Sequence, residues 1–122
     1  AFTLRSDADP EAVRVLENAR AVMRRRMLRR QLIGSPELFG EPGWDMLLDL
    51  FVHECEGRSL AMSSLCISAG IPTSSAMKLI QKLCDAGILE RIPDHRDGRR
   101  SLMRLYPGIA HRLSAYFGEG TE

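Results

Sequence analysis

Residues 73–106, TSSAMKLIQKLCDAGILERIPDHRDGRRSLMRLY, decide the fold, because the apolar period changes inside them. Leu79, Ile80 and Leu83 recur at helical spacing. After Gly87 the period shortens to two, with Leu102, Arg104 and Tyr106 alternating against Met103 and Leu105. Residues 88–92 and 101–106 therefore read as two strands. The charged tip between them is Pro93-Asp94-His95-Arg96-Asp97-Gly98-Arg99-Arg100. The rival reading is a plain helical bundle with 88–106 as loop, and cross-strand pairing separates the two.

Upstream, residues 60–69 and 73–86 read as two short helices joined by Gly70-Ile71-Pro72. Gly70 can take the left-handed turn, and Pro72 stops the first helix from continuing. Cys66 and Ala69 are small enough for a close crossing, while Leu65, Ile71, Leu79, Ile80 and Leu83 supply packing. The opposite face of the second helix carries Thr73, Ser74, Ser75, Met77, Lys78, Gln81 and Lys82. Short hydroxyls at a helix N-terminus let it enter a major groove and meet base edges. Lys78 and Lys82, one turn apart, suit phosphates. The hairpin tip is cationic through Arg96, Arg99 and Arg100, with Arg91 and Arg104 on the strands, as a ribbon reaching a narrow minor groove requires. Asp97, two residues before Arg99, is placed to hold that guanidinium by a charge-assisted bond.

Working outward, residues 10–33 read as a helix capped by Asp9, with Pro10 in its first turn and a stripe of Ala12, Leu16, Ala19, Met23 and Met27. Gly34, Ser35 and Pro36 end it. Residues 42–56 form a second helix with Trp44, Leu47, Leu48, Phe51 and Val52 as its core face, stopped by Gly57. Residues 107–118 form the last helix, followed by a polar tail. The expected fold is mainly α with a small β-hairpin: a winged helix-turn-helix at 42–106 with an added N-terminal helix and a C-terminal helix. All 122 residues are taken as one domain.

The composition, 44% hydrophobic and 27% charged, is that of a soluble globular domain. No stretch suits a membrane span or a signal peptide. The longest run without Lys, Arg, Asp or Glu is 59–77, which is rich in Ser and broken by Gly and Pro. A net charge of +1 hides a division by position. Residues 1–34 hold eight Arg against four acids, 35–57 hold six acids and no Lys or Arg, and 58–122 hold nine bases against six acids. Two cationic surfaces point to a polyanion. Arg24, Arg25, Arg26, Arg29 and Arg30 crowd less than two turns. They suit a DNA backbone, a helix-bound RNA, the acidic segment 37–56, or a solvated face.

Cys55, Cys66 and Cys84 make neither an even disulfide framework nor a CxxC pair, which fits a reducing cytoplasm. Their ordinary role is small apolar packing, with oxidant sensing as the alternative. His53, His95 and His111 lie on different elements. Asp49 and His53, one turn apart, could hold a metal, but no His, Cys or carboxylate cluster stands at metal spacing and no phosphate loop exists. No enzyme activity, metal or cofactor is expected.

The segments Gly87-Ile88-Leu89-Glu90-Arg91, Asp94, Asp97-Gly98-Arg99-Arg100 and Leu105 resemble the winged-helix core of the MarR-type (multiple-antibiotic-resistance regulator) transcription factors. The resemblance runs from about Pro42 to Leu105. Leu38-Phe39-Gly40-Glu41-Pro42 with Trp44-Asp45 is similar to a compact bacterial subgroup that begins with an Arg-rich helix. The chain departs from the family's pattern at Tyr106-Pro107-Gly108. The resemblance implies a wing built on Asp97 and Arg99, a groove-reading helix at 73–82 with Lys78 on phosphate, and a homodimer on pseudo-palindromic DNA.

Residues and resemblance together lead to a sequence-specific DNA-binding transcriptional regulator in the cytoplasm, and no residue suggests a ligand pocket from which a small-molecule effector could be named. The competing expectation is a winged-helix protein-interaction module without DNA binding. Such modules usually lose the basic residues that Lys78, Lys82, Arg96, Arg99 and Arg100 keep here. Leu16, Met23, Leu113, Tyr116 and Phe117 are not needed by the winged-helix core, so a two-fold partner is expected to cover them, the alternative being that they pack on each other within one chain.

Overall fold

Asp9 caps the first helix: its carboxylate accepts the backbone N–H of Glu11 at 3.0 Å, and Pro10 takes the first helical position. The computed structural model describes residues 9–33 and 41–118, with the backbone alone over 28–33. In chain order the elements are α1 (Pro10–Ile33), α2 (Pro42–Cys55), β1 (Leu60–Ala61), α3 (Met62–Ser68), α4 (Thr73–Asp85), β2 (Leu89–Pro93), β3 (Ser101–Leu105) and α5 (Pro107–Gly118). The expected stop at 34–36, the loop to Glu41 with Leu38-Phe39-Gly40, and the polar tail after Gly118 lie outside the described residues.

The strands pair antiparallel in the order β1-β3-β2. Leu89 faces Leu105, Arg91 faces Met103 and Pro93 faces Ser101. That register removes the helical-bundle reading of 88–106. It also buries Leu89, Met103 and Leu105 on one face and leaves Arg104 outside, as a period of two demands.

The expected helix start at Leu60 is corrected. Leu60 and Ala61 are extended and pair with Met103 and Leu102, so the sheet has a third strand and α3 begins at Met62. A strand of two residues has no period to read. The other strand bounds move by one residue, because Tyr106 leaves the ladder and turns its N–H to the Ile88 carbonyl at 3.1 Å.

Gly57, Gly70 and Gly87 adopt positive φ of 72°, 66° and 74°. Each ends a helix at a turn where a Cβ would be strained.

Helix α2 is the centre of the core. Asp45, Met46, Leu48, Leu50, Phe51, Val52 and Cys55 are buried, while Trp44 and Leu47 are only partly so. The expected face omitted Met46 and Leu50. Helices α1, α3 and α4 and strand β3 all pack on α2, so it has no broad solvent stripe for an amphipathic pattern to show.

On α1 the buried line is Val15, Ala19, Val22 and Arg26, and Met27 of the expected stripe is exposed. Both lines step by three and four residues, and Arg26 disguised the true one.

Helix α5 closes the core by packing on α1 within the same chain. Phe117 stacks on Phe51 with centroids 5.7 Å apart, and Asn18 Nδ2 donates to the Phe117 carbonyl at 2.5 Å. Leu113 and Phe117 are thereby buried without a partner copy, and Leu16 and Met23 are partly buried. A two-fold partner is therefore not needed to cover these four residues, and Tyr116, edge-on to Trp44 and Phe117, stays exposed. Among the described residues no helix is long and apolar enough to cross a membrane.

Candidate nucleic-acid interface

The exposed face of α4 follows from how the helix is anchored. Ala76 and Ile80 are fully buried, and Leu79 and Leu83 pack against the core on the same side. Thr73, Ser74, Ser75, Met77, Lys78, Gln81 and Lys82 are left on the exposed side. All seven residues expected to meet DNA thus share one helix surface. The first turn has Pro72 at its N-cap and no side-chain cap. Its N–H groups and the three hydroxyls face outward at the positive end of the helix dipole. Gln81 is already engaged: its Nε2 donates to Asp85 Oδ1 at 2.8 Å.

The two flanks of α4 differ. On one, Gln81 and Cys84 border a cleft of about 320 Å³ with Leu89, Glu90, Arg91 and Tyr106 of the sheet side. On the other, Leu79 lies against the start of α2, where a Cβ on Gly43 would sit 4.0 Å from its methyls.

The tip between β2 and β3 is built from two consecutive turns of one kind. Asp94 Oδ1 accepts the Arg96 N–H at 2.9 Å, and Asp97 Oδ1 accepts the Arg99 N–H at 3.1 Å. An aspartate that bonds the backbone two residues on is the side-chain mimic of a tight turn. The Arg100 N–H bonds the Asp97 carbonyl at 3.0 Å, and the Asp94 N–H bonds the Arg100 carbonyl at 3.3 Å. Arg99 Nε also reaches Asp97 Oδ1 at 3.2 Å, with the Arg99 side chain 92% exposed. Arg96 and Arg100 are exposed beside it. On the strands, Arg104 pairs with Glu90 at 2.5 Å.

The arginine cluster of α1 divides. Arg26 turns inward, and its Nε donates to the buried Asp45 at 2.5 Å. Arg20 bonds Glu56, which holds that carboxyl below its ordinary range. Arg24 and Arg25 stay exposed. The side chains of Arg29 and Arg30 lie outside the described residues. Within the cluster Arg26 therefore serves the acidic segment of the same chain, one of the readings the sequence left open, and Arg20, one turn before the cluster, does the same.

Beside this lies a cavity of about 380 Å³, lined by Met23, Met27, Asp45, Asp49, Ile67 and Ser68. Asp49 and His53 do not assemble a metal site there. His53 Nδ1 lies 3.1 Å from Asp49 Oδ1, and Ser68 Oγ donates to Asp49 Oδ2, so the carboxylate ties α2 to the end of α3. Among the described residues no group of His, Cys, Asp and Glu can hold a metal ion. Burial pushes the Cys55 thiol up to about 12 and raises Cys66 and Cys84 as well, so none is poised as a reactive thiolate.

Glu54 escaped sequence reading. Its Oε1 accepts the Leu105 N–H at 3.4 Å, supplying a partner to β3 where the short β1 has ended. Its Oε2 is buried without a hydrogen-bond partner, and burial pushes the carboxyl up to about 7. Asp85, Glu90 and Asp94 were missed as partners of Gln81, Arg104 and the tip. The signals available were an i,i+4 spacing for Asp85 and an Asp-x-Arg spacing for Asp94. For Glu90, only the strand register finds the pair.

Solved structures share this arrangement of helix-turn-helix and wing. PcaV, a transcriptional regulator of Streptomyces coelicolor solved with its natural ligand, matches with a TM-score of 0.51 at 23% identity, over 76% of this chain and 68% of its own. MepR of S. aureus, solved with DNA, matches with a TM-score of 0.54 at 17% identity, over 78% and 79%. The chain has the MarR-type winged-helix fold. The heme sensor PefR, solved with heme and carbon monoxide, has the same fold with a TM-score of 0.54 at 16% identity, over 82% and 73%. No protein-family model and no curated protein sequence matches the chain. In the terms of the MarR-type fold, α3 and α4 are the helix-turn-helix, and β2 and β3 with their tip are the wing.

Proposed function

We propose that this protein is a DNA-binding transcriptional regulator that reads a pseudo-palindromic site as a homodimer. Helix α4 lies in the major groove. Thr73, Ser74, Ser75, Met77 and Gln81 face base edges there, and Lys78 and Lys82 meet phosphates. The wing carries Arg96, Arg99 and Arg100 to the minor groove, with Asp97 setting the direction of Arg99. The protein acts in the cytoplasm without a catalytic step. Its N-terminal and C-terminal helices support the winged-helix core and offer Val13 and Tyr116, both exposed, to a second copy.

One observation carries the reading. Every polar and cationic candidate of α4 is exposed beside a wing whose outermost arginine is held by its own aspartate. A solvated face that served solubility alone would not need an oriented guanidinium. The solved MepR–DNA complex has the same fold, which makes duplex DNA the first partner to test.

The decisive experiment is selection of bound fragments from a random-sequence duplex pool at low salt. Enrichment of a two-fold sequence with half-sites about one helical turn, roughly 10 bp, apart is expected. Sedimentation should give twice the chain mass. A pool that stays random at low salt overturns the DNA reading, and a monomer mass on the bound fragment overturns the dimer.

A further inference from the structure

Ser63 and Ser101 remain outside this function, and the sheet register brings them to one place. Ala61 faces Leu102 in the β1–β3 ladder, so one step further the first residue of α3 comes beside Ser101 at the start of β3. The corner where β1 turns into α3 and the base of the wing thus share a cleft of about 250 Å³. Its walls are Ala61, Met62 and Ser63 on the helix side and Arg99, Arg100 and Ser101 on the wing side. Ser63 is exposed and Ser101 half-buried, and among the described residues no hydrogen bond engages either hydroxyl.

The chemistry of this cleft suits an anion. It offers two guanidinium groups and two hydroxyls, and no carboxylate lines it. The acids of the tip are already placed: Asp97 is bonded to Arg99, and Asp94 Oδ2 lies 3.9 Å from Arg100 Nε. The cleft between α4 and β2 differs, because Glu90 and the apolar Leu89 line it with Arg91. Its position points to a DNA phosphate. A helix in the major groove and a wing in the neighbouring minor groove have one sugar–phosphate strand between them, and that strand crosses the protein between helix-turn-helix and wing. The minor groove is only about 6 Å wide, so an arginine inside it has phosphates close on both walls.

We propose that Ser63 and Ser101, with Arg100 beside them, seat one phosphate of that strand, between the major groove read by α4 and the minor groove reached by Arg99. This rests on the DNA reading above. The two hydroxyls donate to the phosphate oxygens and fix how the wing sits on the duplex. A backbone contact of this kind positions the protein and carries no base preference.

The test uses the full chain and the double variant Ser63→Ala/Ser101→Ala, which leaves every charge in place. The probes are the selected duplex, a random duplex, and selected duplexes with one neutral methylphosphonate linkage moved along each half-site. Both substitutions remove a single oxygen, so circular dichroism should be unchanged. The variant should bind about ten- to a hundredfold more weakly, on selected and random duplexes alike. Its log–log salt slope should equal the parent's, because no cation is lost. Several neutral linkages should weaken the parent, and at one of them per half-site the variant should lose nothing further. Parent-like affinity of the variant overturns the seat. So does a variant as sensitive as the parent at every linkage, which would assign the loss to the shape of the wing. A shallower salt slope overturns it as well, since the arginines would then have moved. Failure of the parent protein to bind any duplex sinks the DNA reading itself, a result distinct from a parent that binds DNA without needing the two hydroxyls.

Discussion

A single oxygen of Asp97, Oδ1, accepts both the backbone N–H of Arg99 at 3.1 Å and its Nε–H at 3.2 Å. The first bond shapes the turn and the second aims the guanidinium, so one carboxylate sets the path of the wing tip and the direction of its arginine. Asp97→Ala removes a negative charge, and long-range electrostatics alone would strengthen DNA binding. The expected outcome is weaker binding, by about 1–2 kcal/mol, because Arg99 loses a charge-assisted bond and the tip loses a turn. Fluorescence anisotropy on the selected site measures it. Asp97→Asn, whose side-chain oxygen still accepts the Arg99 N–H, should recover part of the loss. Tighter binding by a folded Asp97→Ala protein would show that the tip acts only as diffuse charge.

The pair Arg26–Asp45 is a stability device. Both residues are buried, and Nε to Oδ1 is 2.5 Å. A buried pair often contributes little over a well-packed apolar pair, whereas an orphaned charge is expensive. Asp45→Ala should therefore destabilise the protein by about 3–5 kcal/mol in urea denaturation, and Arg26→Met with Asp45→Leu should restore most of it. A single variant as stable as the double one would mean that Arg26 swings out to water.

Much of this architecture is legible in the sequence, and the exceptions share a cause. The wing shows because 101–106 alternates strictly, and the Asp97–Arg99 contact shows because its partners are two residues apart. The outward face of α4 shows because Leu79, Ile80 and Leu83 leave no other face to bury. What fails is whatever depends on distant neighbours. Leu60 and Ala61 become a strand only because β3 passes beside them. Met46 and Leu50 are core because α2 is surrounded. Arg26 is buried because Asp45, nineteen positions later, meets it across two helices. Charge at such a position argues for solvent until the partner is seen.

Glu54 gives stability a pH dependence. Its folded carboxyl titrates near 7, against an ordinary value of 4.5, because burial disfavours the charged form. The folded state therefore binds more protons than the unfolded one between those values. The stabilisation is complete below about 4.5 and is lost as pH rises through 7. Glu54→Gln keeps an acceptor for the Leu105 N–H and removes the titration. Its stability curve from pH 5 to 8 should be flatter than the parent's by about 2 kcal/mol, allowing for partial exposure. Parallel curves in urea melts would place the titrating group elsewhere.

Helix α4 should divide its work between specificity and affinity, and Asp85 shows where. Gln81 Nε2 is held by Asp85 at 2.8 Å, so the amide is presented in a fixed orientation, as a reader of a single base pair must be. Among the described residues none constrains Lys78 in this way, and it carries a point charge suited to phosphate. Gln81→Ala should cost about 1–3 kcal/mol on the selected site and little on random DNA. Lys78→Gln should weaken both together and reduce the salt slope by about one per subunit. Asp85→Ala is the discriminating change. It removes a negative charge from the DNA side, so random DNA should bind more tightly. Gln81 loses its support, so preference at one position of each half-site should relax. Repeating the selection with this variant tests both effects at once. If the selected sequence stays as sharp as the parent's while overall affinity rises, Asp85 contributes only its charge and Gln81 reads the groove without help.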